Sequence, residues 1–186
     1  TVFPDPGLSL PKVAVNVPCL QFNTGFPGLV QKVLDDIQLD PSLLELELTE
    51  GVIMSNAQAS TDALLDLKRL GVSISVDDFG TGYSSLSYLS KFPLDELKID
   101  RSFVIDYDKS ENDASLIIAI IAMARSMKLK LVAEGVETHD QYHFLRQHGA
   151  NVIQGYLFSK PVPVDEFKRL LTPGYFKDQI SEINKH

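Results

Sequence analysis

Carboxylates stand directly behind short apolar runs at several points in this sequence. Asp77 and Asp78 follow the run 72–76, and Glu134 ends the run 131–133. Two adjacent carboxylates at the end of a buried segment are unfavourable unless a positive group neutralises them. A pair of divalent metal ions would do so, because one carboxylate can bridge both ions while the next holds an ion or a water molecule. The pattern therefore indicates metal-ion chemistry.

Each acidic residue also has a purely structural interpretation. An isolated Asp-Asp pair is more often the N-cap of the following helix than a metal ligand. Glu47 alternates with leucines in the segment 44–50, which puts it on a polar face that solvent could cover. That interpretation weakens if the strand is central in a barrel, since its polar face then points into the interior. Glu134 could be an ordinary charge in a loop.

Three further polar residues complete the set of candidates. Lys98 lies between Leu97 and Ile99, where a lysine either extends its ammonium to solvent or places it in a site. Among carboxylates it would stay protonated and could orient an attacking water or neutralise a phosphoryl oxygen. Asn16 and Gln154 lie in two other apolar runs. Hard oxygen ligands beside a fixed cation suit phosphodiester hydrolysis, in which two metal ions stabilise the attacking and leaving oxygens.

Two histidines and a lone cysteine give weaker signals. His139 and His143 are four residues apart, the spacing of a zinc pair on a helix, but no glutamate of a metalloprotease motif lies between them. We expect both to be ordinary surface residues. Cys19 is the only cysteine, which excludes a disulfide and a cysteine zinc site. It favours a reducing, cytoplasmic setting for the domain, although a longer parent chain could be membrane-anchored.

The elements that must position these side chains alternate along the chain. Six short runs rich in aliphatic residues predict strands, and helical patterns lie between them, so we expect a parallel α/β sheet. The predicted strands are 13–17, 44–49, 72–77, 96–99, 130–134 and 152–157. The clearest predicted helices are 57–70, which ends at Gly71, 113–127, and one that begins with a capping box at Thr138.

The polar residues at the strand ends favour one of two sheet architectures. An open doubly wound sheet concentrates its site at one switch point, whereas a barrel gathers function at the carboxyl ends of several strands. Candidates on all six predicted strands favour a closed barrel, such as a (β/α)₈ barrel, over an open sheet. A complete barrel of this kind has eight strands and about 250 residues. We therefore expect residues 1–186 to be a single domain that lacks the first strands.

Size and charge narrow the class of function. The 186 residues are 44% hydrophobic, which is enough for one sizeable core. A formal net charge of −8 repels polymeric nucleic acid but still allows a small phosphodiester to be held through metal ions. The longest apolar run, 116–124, falls short of the roughly 18 residues that suggest a membrane span. Because the first residue is Thr1, we expect the chain to start inside a longer protein or to have been processed.

Six motifs together resemble the EAL-domain family of cyclic di-GMP phosphodiesterases, over residues 13–171. They are Val-Asn at 15–16, Glu-Leu-Thr-Glu at 47–50, Asp-Asp-Phe-Gly-Thr-Gly-Tyr-Ser-Ser-Leu at 77–86, Leu-Lys-Ile-Asp at 97–100, Ala-Glu-Gly-Val-Glu at 133–137 and Gln-Gly-Tyr-Leu-Phe-Ser-Lys-Pro at 154–161. Their combination leaves little room for coincidence.

The resemblance implies a modified TIM barrel that hydrolyses cyclic di-GMP to linear pGpG. It also implies that magnesium or manganese, as a pair of ions, binds to Asn16, Glu47, Asp77, Asp78 and Glu134. Lys98 would position the nucleophilic water, and Gln154 would support the network of metal-bound water. Asp78 and Glu134 would also take part in catalysis, and the resemblance leaves open whether Glu134 is the base.

Other positions are assigned by the resemblance to the substrate and to a second subunit. Ser159, Lys160 and Pro161 would border one guanine. The loop 77–86 would contribute to dimer contacts and couple them to the site, with Glu50 bracing it; the coupling residues are Glu50, Phe79, Gly80, Thr81, Gly82 and Glu137. The implied partners are cyclic di-GMP, a second copy in a homodimer and neighbouring regulatory domains, but no polymeric nucleic acid.

One feature departs from the family. The Glu-Ala-Leu tripeptide that names it, whose glutamate is a metal ligand on the first strand, does not occur in this sequence. The other motifs are intact, which favours an N-terminally incomplete domain over a degenerate one. Two functions stay open: a parent protein that hydrolyses cyclic di-GMP, of which the isolated chain would be a poorer enzyme, and a catalytically inactive receptor or dimerising signalling module. The retained ligand positions favour the enzyme, and the missing glutamate favours the receptor.

Overall fold

The computed structural model describes residues 11–80, 86–109 and 111–184. In this part of the chain six strands, β1 to β6, span Val13–Asn16, Leu44–Thr49, Ser73–Phe79, Glu96–Ile99, Lys130–Ala133 and Val152–Ile153. The helices α1 to α9 span Phe26–Ile37, Glu50–Met54, Ala57–Leu70, Leu86–Leu89, Arg101–Ile105, Glu111–Ser126, His139–His148, Val164–Leu170 and Lys177–Ile183, and a 3₁₀ turn covers Pro41–Leu43.

The strands form one parallel sheet in sequence order from β1 to β6. Parallel neighbours need crossover connections, and helices in these connections cover the outer face of the sheet. β1 and β6 are the two edges of the sheet within the described residues. The sheet is a curled half-barrel, which confirms the predicted TIM-type α/β fold with fewer strands than a closed barrel.

Alternation along the strands separates an apolar outer face from a polar inner face. The outward side chains belong to the main core and are at most 3% exposed: Leu46, Leu48, Ile74, Val76, Leu97 and Ile99. The residues between them point into the half-barrel and are also buried: Glu45, Glu47, Ser75, Glu96 and Lys98. Buried charges need partners, so the interior is where the strands must bring opposite charges together.

Local sequence signals fix the ends of two helices as predicted. Helix α3 begins after Asn56, whose side chain accepts the N–H of Ala59, and ends at Gly71 with a left-handed φ of 96°. Helix α7 begins with the predicted capping box, in which Thr138 and Gln141 each accept the backbone N–H of the other. Both ends follow from short-range hydrogen bonds that the sequence specifies directly.

Strand β3 is longer than predicted and contains a bulge. It continues to Phe79, and its register against β4 shifts between Val76 and Phe79. Asp78 within this stretch has a left-handed φ of 52°. An extra residue on one strand bends it and turns its side chains in new directions. The two adjacent aspartates of the motif therefore do not simply alternate between opposite faces.

Strand β6 is shorter than predicted. It ends at Ile153, so the expectation of a strand through residue 157 is wrong. The chain instead turns at Gly155, where an added Cβ would overlap the backbone of Val136. A side chain does not fit at this approach of two loops, and the glycine allows the chain to leave the sheet early.

The predicted core helix is present as α6. One face of this helix is buried in the main core through Ile117, Ile120, Ile121 and Ala124. Among the helices that the structure describes, none is both long and apolar enough to cross a membrane.

Candidate active site

Lys98 lies at the centre of the polar interior, towards the carboxyl ends of the strands. Its Nζ is 2.7 Å from Glu47 Oε1, 2.6 Å from Glu134 Oε1 and 3.6 Å from Asp77 Oδ1. The side chains of Lys98 and Glu47 are only 6% and 10% exposed. Four of the predicted site residues, from β2, β3, β4 and the end of β5, are therefore in contact. We call these four residues the ion cluster.

The ion cluster keeps Lys98 protonated. Burial by itself would lower the pKa of Lys98, but hydrogen bonds to Glu134 and Glu47, with the nearby charge of Asp77, raise this pKa well above its ordinary value. Burial raises the pKa of Glu134, and the ammonium of Lys98 offsets part of that rise. One cation thus faces three carboxylates, so the cluster retains negative charge when all three are ionised.

Asp78 lies in the bulge of β3, next to Asp77. Its carboxyl hydrogen-bonds to that of Asp100, the residue that follows β4. Burial raises the pKa of Asp78, and the charges of Asp77 and Asp100 add to the rise. Asp100 also accepts the N–H of Ser102 and so caps α5.

Asp100 is a residue of this site that the sequence analysis did not single out. It ends the Leu-Lys-Ile-Asp motif, two residues after Lys98. The rule that located the other candidates, a polar residue at the end of an apolar strand, applies to Asp100 as well. Its contact with Asp78 depends on the left-handed backbone at that residue, which the sequence pattern does not specify.

Asn16 and Gln154 lie at the two edges of the half-barrel. Asn16 is in register with Glu47 across the β1–β2 pair. The backbone N–H of Gln154 donates to the carbonyl of Ala133 at 2.9 Å, next to Glu134. Both side chains are exposed. The fold therefore places one amide beside each of the two glutamates that contact the lysine.

The donor set of this region fits a hard divalent cation. Carboxylate and amide oxygens are the ligands that magnesium and manganese prefer. Within the described ranges, no three histidine, cysteine, aspartate or glutamate side chains already form a ligand cluster. Glu47 and Glu134 each direct one oxygen at Lys98. Because a carboxylate has two oxygens, each glutamate can serve the ammonium and a cation together.

The residues predicted to couple the loop after β3 are partly within the described chain. Glu50 is 5% exposed, and its Oε2 accepts the N–H of Gly80 at 3.4 Å. Phe79 is buried at the end of β3. Thr81 and Gly82 lie outside the described residues. The structure thus brings Glu50 to the start of the predicted coupling loop.

A cavity of about 520 Å³ opens beside Glu134. Its wall includes the predicted substrate-binding and supporting residues Gln154, Ser159, Lys160 and Pro161. Glu137 lines the same cavity and forms an ion pair with Arg101. The predicted substrate contacts are therefore adjacent to the ion cluster, which shares Glu134 with the cavity.

The two candidate histidines lie on α7, outside the ion cluster. His139 is exposed, as expected. His143 is half-buried, and its Nε2 lies 2.8 Å from the carbonyl oxygen of Ile183. The expectation of a surface position is wrong for His143, because this ring joins α7 to α9.

A parallel half-barrel that gathers carboxylates and a buried lysine at the carboxyl ends of its strands has the architecture of a TIM-type barrel protein. The sequence profile of the EAL domain matches residues 6–161. The chain belongs to the EAL domain family.

Two proteins that are named cyclic di-GMP phosphodiesterases are similar in sequence to most of this chain. Cyclic di-GMP phosphodiesterase NbdA of Pseudomonas aeruginosa is 48% identical over 163 residues, which cover 86% of this chain and 21% of that protein. Cyclic di-GMP phosphodiesterase PdeR of Escherichia coli is 40% identical over 167 residues, 89% of this chain and 25% of that protein. The chain thus spans a fifth to a quarter of the length of these relatives.

A solved structure shows the same fold. The PaMucR phosphodiesterase in complex with c-di-GMP superposes with a TM-score of 0.81 at 45% sequence identity. The match covers 84% of this chain and 64% of that chain.

Proposed function

We propose that this domain hydrolyses cyclic di-GMP to linear pGpG. The observation that carries the proposal is the ion cluster, in which Lys98 contacts Glu47, Asp77 and Glu134 beside an open cavity. Groups suited to phosphodiester chemistry and space for a nucleotide are thus adjacent. Similarity to NbdA and PdeR, which are named cyclic di-GMP phosphodiesterases, and to the PaMucR complex supports this substrate.

The reaction adds one water molecule across one phosphodiester bond of the ring. The water oxygen bonds to phosphorus, the P–O3′ bond breaks, and a proton from water reaches the leaving oxygen. Glu134 can accept that proton, because it is a carboxylate on the wall of the cavity and burial raises its pKa above the ordinary value. Lys98 stays protonated, so it can orient the water and stabilise the charge that develops on the phosphoryl oxygens.

Asn16, Glu47, Asp77, Asp78 and Glu134 would hold magnesium or manganese, as a pair of ions. When bound, these ions would neutralise phosphoryl charge and lower the pKa of the attacking water. Lys98 keeps Glu47 and Glu134 oriented for this role. Asp100 holds Asp78 through their hydrogen bond, and Gln154 would support the bound water from the cavity wall.

We infer that the loop after β3 also takes part in a homodimer contact and in coupling to neighbouring regulatory domains. The support is the contact between Glu50 and the N–H of Gly80, which ties the start of this loop to α2, directly after the strand that carries Glu47. Sedimentation velocity should show a dimer that Glu50→Ala weakens. A monomer at every concentration would contradict the inference.

Product formation under defined cations tests the proposed enzyme. We expect pGpG to appear with magnesium or manganese and only slowly with calcium, whose looser coordination misplaces the water. Asp77→Asn should abolish turnover. Asp66→Asn should not, because Asp66 is an exposed residue of α3 that pairs with Arg69 on the surface. Binding of cyclic di-GMP without turnover under every cation would identify the receptor instead, and no binding would refute the substrate.

A further inference from the structure

Arg101 occupies a position in the cavity that neither the ion cluster nor the sequence motifs explain. It begins α5 directly after β4 and lines the same cavity as Glu134, Gln154 and Lys160. Its Nη2 is 2.7 Å from Oε1 of Glu137, and the two side chains are 54% and 40% exposed. Exposed ion pairs contribute little to stability. Stability alone therefore does not account for the arrangement.

The loop beside Arg101 is shaped to accept its side chain. Gly135 has a left-handed φ of 68°, and an added Cβ there would overlap the aliphatic part of Arg101. The same loop is held on its other side, where the N–H of Val136 donates to Gln154 at 3.2 Å and the N–H of Leu157 donates to Val136 at 2.9 Å. Backbone contacts thus fix the course of the arginine across the cavity wall.

Glu137, the partner of Arg101, is fixed by the capping box of α7. Oε1 of the buried Gln141 accepts the backbone N–H of Glu137 at 2.7 Å and that of Thr138 at 3.0 Å. The carboxylate therefore extends from an anchored helix start. A guanidinium has five N–H donors in a planar fork, so its bond to one carboxylate oxygen leaves donors that a ligand in the cavity can reach.

We propose that Arg101 binds a guanine base of the substrate and that Glu137 is its positioning residue. A guanidinium fork matches the O6 and N7 acceptors on one edge of guanine. Adenine carries an amino group in place of O6, so the same fork would place a donor against a donor. Arg101 would thus select cyclic di-GMP over cyclic di-AMP. This inference rests on the proposed function and names the residue that determines the accepted base.

The charge of the pair favours a base over a phosphate as the target. The carboxylate of Glu137 offsets the guanidinium charge and would repel a phosphate oxygen, whereas guanine is neutral. Lys160 lines the same cavity, and its Nζ lies 5.6 Å from the centre of the Tyr156 ring. The ammonium of Lys160 suits a phosphate oxygen as a point charge, which leaves the planar recognition to Arg101.

Calorimetric titration with cyclic di-GMP and with cyclic di-AMP, in calcium to limit turnover, tests the proposal. Arg101→Met should weaken cyclic di-GMP binding about 10- to 100-fold and change cyclic di-AMP binding little. Arg101→Lys keeps the charge without the fork, so it should lose the preference for guanine while retaining the fold. Arg69→Met is the matched control, because Arg69 pairs with a carboxylate on α3, and it should change neither affinity.

A double-mutant cycle tests the role of Glu137. Glu137→Gln should weaken cyclic di-GMP binding in the unaltered background and have no further effect when Arg101 is already Met. Independent, additive effects would show that Glu137 does not act through the arginine and would overturn the positioning role. If the unaltered protein and Arg101→Lys discriminate equally, the proposal fails while the proposed function stands. If the unaltered protein binds no cyclic di-GMP, both fail.

Discussion

At the scale of single residues, the buried ammonium of Lys98 links the stability of the domain to its chemistry. It contacts carboxylates that come from different strands. Removal of one partner of a buried ion pair leaves an uncompensated charge, which typically costs about 3–5 kcal/mol. The same cation is placed where a phosphodiester would develop negative charge. A substitution of Lys98 should therefore change both the free energy of unfolding and the rate of turnover, and each change can be measured by itself.

Replacement of Lys98 by methionine should lower kcat about 100- to 1,000-fold with a smaller effect on KM, because its charge acts on the water and the transition state. The free energy of unfolding in chelator should also fall, by roughly 3 kcal/mol. Steady-state kinetics and urea denaturation measure the two effects. A variant with normal kcat and only a raised KM would show that Lys98 has a different role.

Glu45 provides a pH-dependent test of the polar interior. Burial raises the pKa of Glu45, and the charge of Glu96 adds to the rise. The folded state thus binds this proton more tightly than the unfolded chain. The associated stability is fully present below the unfolded pKa of about 4.3 and is lost as the pH rises through the folded pKa.

Glu45→Gln, which resembles the protonated form, should therefore become more stable relative to the unaltered protein as the pH rises from about 4 towards neutrality. Urea denaturation at a series of pH values in chelator measures this difference. Glu182→Gln, at an exposed position near the end of α9, serves as the control. A difference that does not change with pH would contradict the raised pKa.

The candidate residues could be predicted from the sequence where one rule, a polar residue at the carboxyl end of a strand, was enough. Parallel strands direct their carboxyl ends to one edge, so Glu47, Asp77 and Lys98 could be grouped without a structure. The pairing of Asp78 with Asp100 could not, because it follows from a bulge. Arg101 could not either, since its partner Glu137 lies 36 residues further along the chain.

At the scale of elements, the wall of the cavity depends on the close approach of two loops. Gly155 lies against the backbone of Val136, and a side chain at residue 155 would overlap it. The Val136 loop also carries the neighbours of Arg101. A displacement of the backbone at this contact would therefore also move Arg101, the proposed base-binding residue.

Gly155→Ala should lower the free energy of unfolding by about 1–3 kcal/mol, the usual cost of overpacking, and should weaken cyclic di-GMP binding. Gly28→Ala is the contrasting variant. Gly28 lies in α1, where an added Cβ meets nothing within 4 Å, so alanine should stabilise the helix by up to about 1 kcal/mol. Urea denaturation and ligand titration measure both. Equal effects of the two alanines would contradict the packing argument.

Helix α3 was predicted to the residue, at 57–70, because its ends depend on local caps at Asn56 and Gly71. Strand β6 was not, because its end at Ile153 is set by the contact of Gly155 with a loop distant in sequence. Short-range hydrogen bonds can be inferred from neighbouring residues, whereas an approach of two loops depends on the assembled fold.

At the scale of the whole molecule, the fold class followed from the spread of polar residues over all six strands. The sequence does not specify how far the sheet curls, since curvature arises from twist and packing along every strand. Within the described chain, Val13 and Val15 on the edge strand β1 are 56% and 44% exposed. The fold thus presents apolar surface at one edge as well as a charged interior.

Divalent cations should stabilise the whole domain by binding only the folded state. At a hundred times Kd the gain is about 2.7 kcal/mol, which for a chain of this size corresponds to a rise in Tm of roughly 5–10 °C. Scanning calorimetry with magnesium, manganese and chelator measures it. Asp77→Asn should lose most of the rise, whereas Asp66→Asn should keep it. An unchanged Tm in the unaltered protein would contradict the ligand assignment.

The surplus of carboxylates over ammonium groups in the ion cluster affects the order in which the cation and the dinucleotide bind. A phosphodiester ring carries one negative charge on each phosphate, so a cluster with three carboxylates and one lysine repels it. A positive charge must therefore bind to the ion cluster before the dinucleotide does. Loading would then be ordered, with cation before nucleotide, and the free concentration of divalent cations would limit occupancy even when the dinucleotide is abundant.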